Sequence, residues 1–245
     1  MREEIRPYDP QQGSKKVQVK KMFDTIAGNY DTLNRVISFG IDQRWRKKVV
    51  AFVAEKHPEQ VLDIATGTGD LAVALVASGA KKIVGLDLSP GMLALGKEKV
   101  AQKQLDHTIE MVVGDSEEID YPDAHFDAVT VAFGVRNFEQ LDRGLQEIFR
   151  VLRPGGQLVV LETSVPTKFP YKQGYQLYTH WIMPAIGRLF SKDNAAYGYL
   201  SKSAANFPFG TAFNNILKKN GFIAIVDHPQ TFGVATIYRA TKPKK

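Results

Sequence analysis

From residue 60 onward, short apolar runs alternate with amphipathic stretches, which predicts strands and helices in turn. QVLDIA (60–65), KKIVGLD (81–87), IEMVVGD (109–115), FDAVTVAF (126–133) and QLVVLET (157–163) read as five strands. Helical pattern runs through DLAVALVAS after the first strand, to about residue 103 after the second, and through FEQLDRGLQEIFRVL after the fourth. SPG (89–91) supplies a Ser N-cap followed by Pro at the first helical position. Leu141, Leu145, Ile148 and Leu152 form an apolar helical stripe that RPGG (153–156) is expected to stop. Two later runs, GFIAIVD (221–227) and VATIYRA (234–240), are joined by only a short link. Parallel neighbours need a crossover of about a dozen residues or more, so these two are expected to be antiparallel. The pattern predicts an α/β fold: a doubly wound, mostly parallel seven-stranded sheet with an antiparallel last strand.

Residues 1–59 are expected to precede the sheet as helices, and 164–210 to form a lid insertion over its cofactor edge. Length and an apolar content of 44% suit one domain over 1–245. Cysteine is absent, which removes disulfides and thiolate chemistry and is compatible with a cytoplasmic location. MREEIRPYDP has no apolar h-region, so no signal peptide is expected, and no run approaches the roughly 18 apolar residues of a membrane span.

The net charge is +6 and the sequence pI about 9.3. Lys15, Lys16, Lys20 and Lys21 form one basic group; Arg44, Arg46, Lys47 and Lys48 form another. Such an excess suits an anionic lipid surface, a nucleic acid or an ordinary solvated face. Val19, Met22, Phe23 and Ile26 give the first group an amphipathic helix, expected to pack on the domain or to rest on a membrane. No RNP-like aromatic motif accompanies the basic residues, and no nucleic-acid partner is expected.

The chemistry centres on VLDIATGTGD (61–70). Gly67 and Gly69 let the backbone turn tightly and approach a ligand. GTGDLA (67–72) also fits the dinucleotide pattern, so a nicotinamide oxidoreductase is the competing class. Asp87, at the end of the second strand, can accept from both ribose hydroxyls of either cofactor. Asp63, ahead of the glycines, would repel a pyrophosphate but suits the sulfonium or amino group of a methionine moiety. Asp115 closes the third strand where an adenine amine would lie, although a helix N-cap is the plainer role. Three strand-end acids together favour S-adenosylmethionine.

These features resemble the class I adenosylmethionine-dependent methyltransferases. Within them, the chain is similar over nearly its whole length to the quinone-biosynthesis C-methyltransferases, which act on demethylmenaquinol and polyprenyl benzoquinols. The resemblance is carried by FDTIAGNYDTLNRVISFGIDQRWRK (23–47), VLDIATGTGD, GLDLSPGML (85–93), AFGVRNF (132–138), RVLRPGG (150–156), LETSVP (161–166) and YLSKSAANFP (199–208). It implies that Thr68, Asp87, Asp115 and Ser116 contact the cofactor. The family often has Ser where this chain has Ala132, so a hydroxyl contact there is missing. LETSVP looks more like the menaquinone branch than the ubiquinone branch, and a polyprenyl naphthoquinol or benzoquinol is the implied substrate.

For C-methylation, a quinol hydroxyl must lose its proton so that the ring carbon becomes nucleophilic. Arg136, after the fourth strand, is the leading candidate to stabilise the phenolate, with pairing to a carboxylate such as Glu139 as the structural alternative. Asn137 is a candidate to position a hydroxyl, or else a turn residue. Tyr30 and Asp31 are candidates to close the site, or else capping and packing residues. Tyr171, Tyr175, Tyr178 and Ile182, with Trp181, Phe190, Tyr197 and Tyr199 nearby, form a stripe that suits either a core or a prenyl groove bent by Pro184. His180 is a weaker candidate base. No histidine cluster has metal-ligand spacing, so no metal is expected. Peripheral contact with the inner face of the membrane and a homo-oligomer are further expectations.

Overall fold

The computed structural model describes residues 5–182 and 194–244. Seven strands form one sheet: β1 (Gln60–Ile64), β2 (Lys82–Asp87), β3 (Ile109–Val113), β4 (Phe126–Ala132), β5 (Leu152–Thr163), β6 (Ile223–Gln230) and β7 (Ala235–Thr241). Their order is β3-β2-β1-β4-β5-β7-β6. The first five are parallel, and β7 runs antiparallel to both neighbours. Strand order reverses beside β1, and in such sheets ligands bind at the carboxyl ends next to the reversal.

Alternation along the strands divides the core into two layers. Leu62 and Ile64 face one layer with Leu145, Ile148, Phe213 and Leu217. These come from the helices α5 (Leu141–Val151) and α8 (Thr211–Lys219). Val61, Ile83 and Ala128 face the other layer with Trp45, Val49, Leu75 and Leu93. That layer is made by α2 (Asp42–Ala54), α3 (Asp70–Leu75) and α4 (Pro90–Gln102). Asp63 shares the parity of Val61, so its carboxylate points to the α2 side.

The N-terminal amphipathic pattern becomes α1 (Lys15–Ser38), which packs on α4. Val19, Met22 and Ile26 are buried with Ala196 and Tyr199 of α7 (Asn194–Asn206). Ser14 caps α1, and Phe39 and Gly40 end it in left-handed conformations.

Several boundaries differ from the sequence pattern. β1 and β3 stop at Ile64 and Val113, because Ala65 turns to φ 53° and Gly114 begins a loop. RPGG does not separate helix from strand: α5 ends at Val151 and β5 already pairs at Leu152. The proline and glycines form an irregularity within the strand, with the pairing shifting between Phe126 and Ala128. β6 begins later and runs on through Pro229, which an edge strand tolerates.

Between β5 and β6 lie α6 (Tyr171–Leu177), a helical turn over Tyr178–Ile182, and α7. Phe190, Pro184 and the side chains of Ile182 and Tyr197 lie outside the described residues.

Candidate active site

The carboxyl ends of β1, β2 and β4 open into a cleft of about 700 Å³, lined among others by Lys16, Tyr30, Gly67, Asp87, Asp115, Ser116, Ala132 and Asn137. A second compartment of about 350 Å³ adjoins it through shared Tyr30, Ala65, Gly67 and Ala132. It holds Asp31, Arg46, Asp63, Thr66 and Thr68. The structure therefore brings Tyr30, Asp31, Asp63, Gly67, Thr68, Asp87, Asp115, Ser116 and Asn137 into the lining of one or both spaces, whereas Gly69, Arg136 and the weaker candidate His180 stand outside it. Gly69 shapes the loop from behind, where a Cβ would press on the Met111 methyl at 3.2 Å. Arg136 lies immediately beside the cleft, between lining residues Gly134 and Asn137.

The glycine loop leaves β1 through strained backbone. Ala65 (φ 53°) and, just past the end of β4, Phe133 (φ 57°) are non-glycine residues in left-handed conformations beside the cleft. Such residues cost on the order of 1–3 kcal/mol each and persist where surrounding structure over-determines them. Gly67 (φ 58°) has open space where a Cβ would stand, so its backbone is bare toward the cleft.

Asp87 holds this loop. Its Oδ2 accepts from the Gly67 N–H at 2.7 Å and its Oδ1 from the Ser89 N–H at 2.9 Å. Burial pushes its carboxyl above the ordinary range, and the backbone N–H groups of Ser89 and Gly67 oppose that rise. Asp63 is 1% exposed. The register places it beside Thr130, whose hydroxyl donates to Oδ1 at 2.6 Å, while the Thr66 hydroxyl donates to Oδ2 at 2.7 Å. Burial raises its pKa to about 6 despite both hydroxyls.

Asp115 accepts from the Glu117 N–H at 2.9 Å within a turn; no helix starts there, so the N-cap role is not the one it has. It also faces the cleft and is bridged by Lys16 Nζ at 2.6 Å. Lys16 reaches Glu117 as well, at 3.1 Å, and Lys15 donates to the carbonyls of Arg136 and Phe138 at 3.1 and 2.7 Å. Part of the first basic group thus pins α1 to the sheet edge instead of remaining a free cationic face.

Asp31 lies on the same helix. Its Oδ1 accepts from the Thr68 hydroxyl at 2.6 Å and its Oδ2 from Lys99 Nζ at 2.9 Å. Burial alone would raise its pKa, but Thr68 and Lys99 hold it below the ordinary value. Lys99 also binds Asp70, so one lysine ties α1, the glycine loop and α4 together.

Arg136 pairs with Glu162 of β5 at 2.5 Å, not with Glu139. Glu139 instead accepts from the Lys15 N–H at 2.9 Å, in the first turn of α1. Glu162 is 0% exposed, and its Oε2 and the Arg136 Nε have no hydrogen-bond partner among the described residues. Tyr30, Tyr175 and Tyr199 lie close enough for Arg136 to interact with them electrostatically. Burial raises the phenol pKa of Tyr30 even though Arg136 opposes it, so Tyr30 stays protonated. Asn137 donates to the Phe133 carbonyl at 3.3 Å and accepts from the Tyr199 hydroxyl at 3.1 Å. It therefore serves the turn and ties α7 to the cleft.

Glu162, Arg46 and Lys99 escaped the sequence reading as site residues. The signal for Glu162 was an acid at the end of a strand, within LETSVP itself, the same signal used for Asp63 and Asp87. His180 is exposed and stacks edge-on with Trp181, away from the cleft lining. The tyrosine stripe is not core: Tyr171 is exposed, and Tyr175 and Tyr178 are half-buried.

The donor set fits S-adenosylmethionine: a carboxylate for the ribose diol, Asp87, another for the adenine amine, Asp115, and a buried acid, Asp63, for the cationic methionine end. Residues 11–242 match the ubiE/COQ5 methyltransferase family. A demethylmenaquinone methyltransferase of Bacteroides fragilis is 44% identical over 98% of both chains. The Geobacter sulfurreducens ubiquinone/menaquinone biosynthesis C-methyltransferase UbiE is 43% identical over 93% of this chain and 90% of that one. Among solved structures, the [4+2]-cyclase SpnF matches with a TM-score of 0.66 at 18% identity, covering 95% of this chain and 97% of the other. A putative S-adenosylmethionine-dependent methyltransferase from Methanococcus maripaludis matches with 0.65 at 19%, covering 92% and 96%. Those two likenesses bear on the fold; the match over 11–242 and the identity above 40% bear on the enzyme. The chain belongs to the ubiE/COQ5 methyltransferase family and is an S-adenosylmethionine-dependent methyltransferase.

Proposed function

We propose that this enzyme methylates a ring carbon of demethylmenaquinol. The observation that carries the chemistry is the buried Arg136–Glu162 pair beside the cleft, ringed by tyrosines. The names of its relatives support the naphthoquinol over the benzoquinol.

When bound, S-adenosylmethionine supplies a sulfonium methyl that needs no further activation. Asp87 receives the ribose hydroxyls while its contacts to Gly67 and Ser89 keep both oxygens oriented. Asp115 and Ser116 line the cleft and would hold the adenine. Lys16 must release Asp115 in part for its carboxylate to accept the exocyclic amine. Ala132 offers the cofactor no hydroxyl.

On the acceptor side, the quinol hydroxyl gives its proton to a water and Arg136 stabilises the oxygen left behind, which raises electron density at the neighbouring ring carbon. Glu162 aims the guanidinium and offsets its charge before substrate arrives. Tyr30, kept protonated, donates to the same oxygen, and Asn137 fixes α7 over the ring. As the carbon–carbon bond forms, the ring hydrogen leaves as a proton and aromaticity returns. The helices over the cleft exclude water from the electrophile.

The prenyl tail leaves toward a rim of exposed apolar side chains. Phe39, Tyr171 and Phe232 join Leu177 and Trp181, the last 67% exposed. Tyr171 stacks on Phe232 at 4.0 Å, Phe39 approaches Tyr178, and the Tyr178 hydroxyl donates to the Ile37 carbonyl at 2.6 Å. Among the described residues no helix is long and apolar enough to cross a membrane. This rim is the proposed peripheral membrane contact, and a Trp181→Ser, Leu177→Ser variant should float less with neutral-lipid vesicles.

Incubation with methyl-labelled S-adenosylmethionine and equal amounts of demethylmenaquinol and a 2-methoxy-6-polyprenyl-benzoquinol tests the substrate. Label confined to the naphthoquinone fraction is expected. Label mainly in the benzoquinone fraction would reverse the assignment.

A further inference from the structure

Three stretches of chain meet at the apolar rim, and two of them are strongly basic. Residues 35–48 and 164–182 hold seven of the chain's 32 basic residues and one of its 26 acids, and 228–233 hold neither. The rest of the chain is therefore balanced, and the whole net charge of +6 resides at this face. The one acid, Asp42, is buried and pairs with Arg46. Arg44, Lys47, Lys48, Lys168 and Lys172 are exposed and form no ion pair among the described residues. Lys15 and Lys16 of the first basic group differ, since they are tied to the sheet edge.

Side-chain contacts join the three stretches into one surface. Trp45 Nε1 donates to the Thr231 hydroxyl at 2.9 Å, and Lys48 Nζ donates to Gln230 Oε1 at 2.7 Å. Tyr171 stacks on Phe232 with the ring planes 6° apart, and Phe39 approaches Tyr178. α2 thus brings Arg44 and Lys48, one turn apart, to the foot of the loop that carries Phe232. Lys168 and Lys172 flank Phe169 and Tyr171 in sequence. The loop is strained: Thr231 (φ 42°) and Phe232 (φ 60°) are non-glycine residues in left-handed conformations, and they present a phenyl ring that is 66% exposed. Strain of this kind persists where it serves a site, and grouped exposed apolar side chains mark interaction surfaces.

We propose that this face docks on an anionic phospholipid bilayer, with the apolar side chains entering the interface and Arg44, Lys47, Lys48, Lys168 and Lys172 meeting the headgroup phosphates. Apolar rings enter among the acyl chains while long cationic side chains stay at headgroup depth. The apolar rim gives the contact its depth; the cations select the charge of the leaflet. A nucleic acid would also use the cations, but the acceptor proposed for the adjoining cleft is itself a bilayer lipid, and Leu177 and Trp181 stand exposed beside these rings. The inference rests on the membrane contact proposed with the function and adds its headgroup selectivity.

Flotation of the intact protein would be compared on vesicles of phosphatidylcholine alone and of an equal mixture with phosphatidylglycerol. Each cation near an anionic leaflet contributes roughly fivefold in partitioning, so the mixture should bind wild type on the order of 100-fold more tightly. Most of that preference should vanish between about 0.1 M and about 1 M salt, as the Debye length shrinks from about 10 Å to about 3 Å. Arg44→Gln, Lys47→Gln, Lys168→Gln and Lys172→Gln combined should abolish the preference, yet bind phosphatidylcholine vesicles as wild type does, with Tm and S-adenosylhomocysteine affinity unchanged. Equal binding of wild type to both vesicles, or a preference that survives the substitutions or high salt, would overturn the proposal and leave the apolar contact standing. Tighter binding to a duplex RNA than to the anionic vesicles, lost with the same substitutions, would give the cations to nucleic acid and overturn it too. Wild type that floats with neither vesicle would overturn the membrane contact itself, and the proposal with it.

Discussion

In the cofactor half of the cleft, the acids stand at or just beyond strand ends and are tied by loop backbone N–H groups and by hydroxyls of the loop and the adjacent strand. Asp87 meets Gly67 and Ser89, Asp63 meets Thr66 and its strand neighbour Thr130, and Asp115 meets Glu117. In the acceptor half, Arg136 and Asn137 are held by side chains from other elements, Glu162 of β5 and Tyr199 of α7, while Tyr30 bonds to Asn34 one turn along α1. The first half depends on sheet geometry, which many enzymes of this fold share. The second depends on α1, α7 and the end of β5 meeting in one place. Cofactor binding and methyl transfer should therefore be separable by mutation.

Arg136→Ala gives the largest expected effect. Turnover should fall on the order of 10³-fold, the loss typical of a group that stabilises developing negative charge. S-adenosylhomocysteine affinity should stay within a few-fold, as read by calorimetry. A matching loss of cofactor affinity would erase the distinction between the halves.

Asp87→Ala is the converse experiment. It removes the ribose acceptor and frees the Gly67 and Ser89 amides at once, so affinity should fall about 100-fold. Turnover at saturating cofactor should change much less. Glu162→Gln comes next: it leaves a buried guanidinium without its counter-charge. A drop in turnover of about 10- to 100-fold with a lowered Tm is expected, and Glu162→Asp should restore part of the turnover. Loss of Tm with turnover intact would reduce Glu162 to a packing role.

The smallest effect is a pH dependence confined to the cofactor half. Asp63 titrates near 6 in the folded chain, above its ordinary 3.8, because it is buried, with Asp87 adding to the rise and Arg46 opposing it. The unfolded chain loses this proton first as pH rises. Stability from this group is therefore fully present below about pH 4, declines to about pH 6 and stays lower at neutral pH. Asp63→Asn should flatten that decline in thermal melts. A cationic ligand prefers the ionised acid, so S-adenosylmethionine affinity should weaken up to about tenfold from pH 7 to pH 5. An affinity independent of pH over that interval would separate Asp63 from the ammonium.

Much of the cofactor half was legible because its grammar is local. An acid at a strand end, two glycines and a Ser-Pro helix start are read within a few residues of each other. RPGG was read correctly as the place where the helix stops, but not that β5 already begins at Leu152 and carries these residues as an irregularity between the pairs Phe126–Leu152 and Ala128–Gln157. The acceptor half was legible only as candidates. Arg136 was visible as a charge at a strand end, but its neighbour in sequence, Glu139, was the wrong partner.

The sequence by itself determined the alternation of strand and helix, the antiparallel last strand and the three acids that select a cationic cofactor. Periodicity and turn chemistry act over a few residues and need no partner to be recognised. Only the tertiary structure decided which charges meet: Glu162 with Arg136, Lys99 with Asp31 and Asp70, Lys16 with Asp115, and Arg46 facing the compartment that holds Asp63. Those groups lie 17 to 99 positions apart, and a charge shows its sign in a sequence but not its neighbour. Burial then sets how strongly each pair acts, since removing water is what makes opposite charges matter to one another.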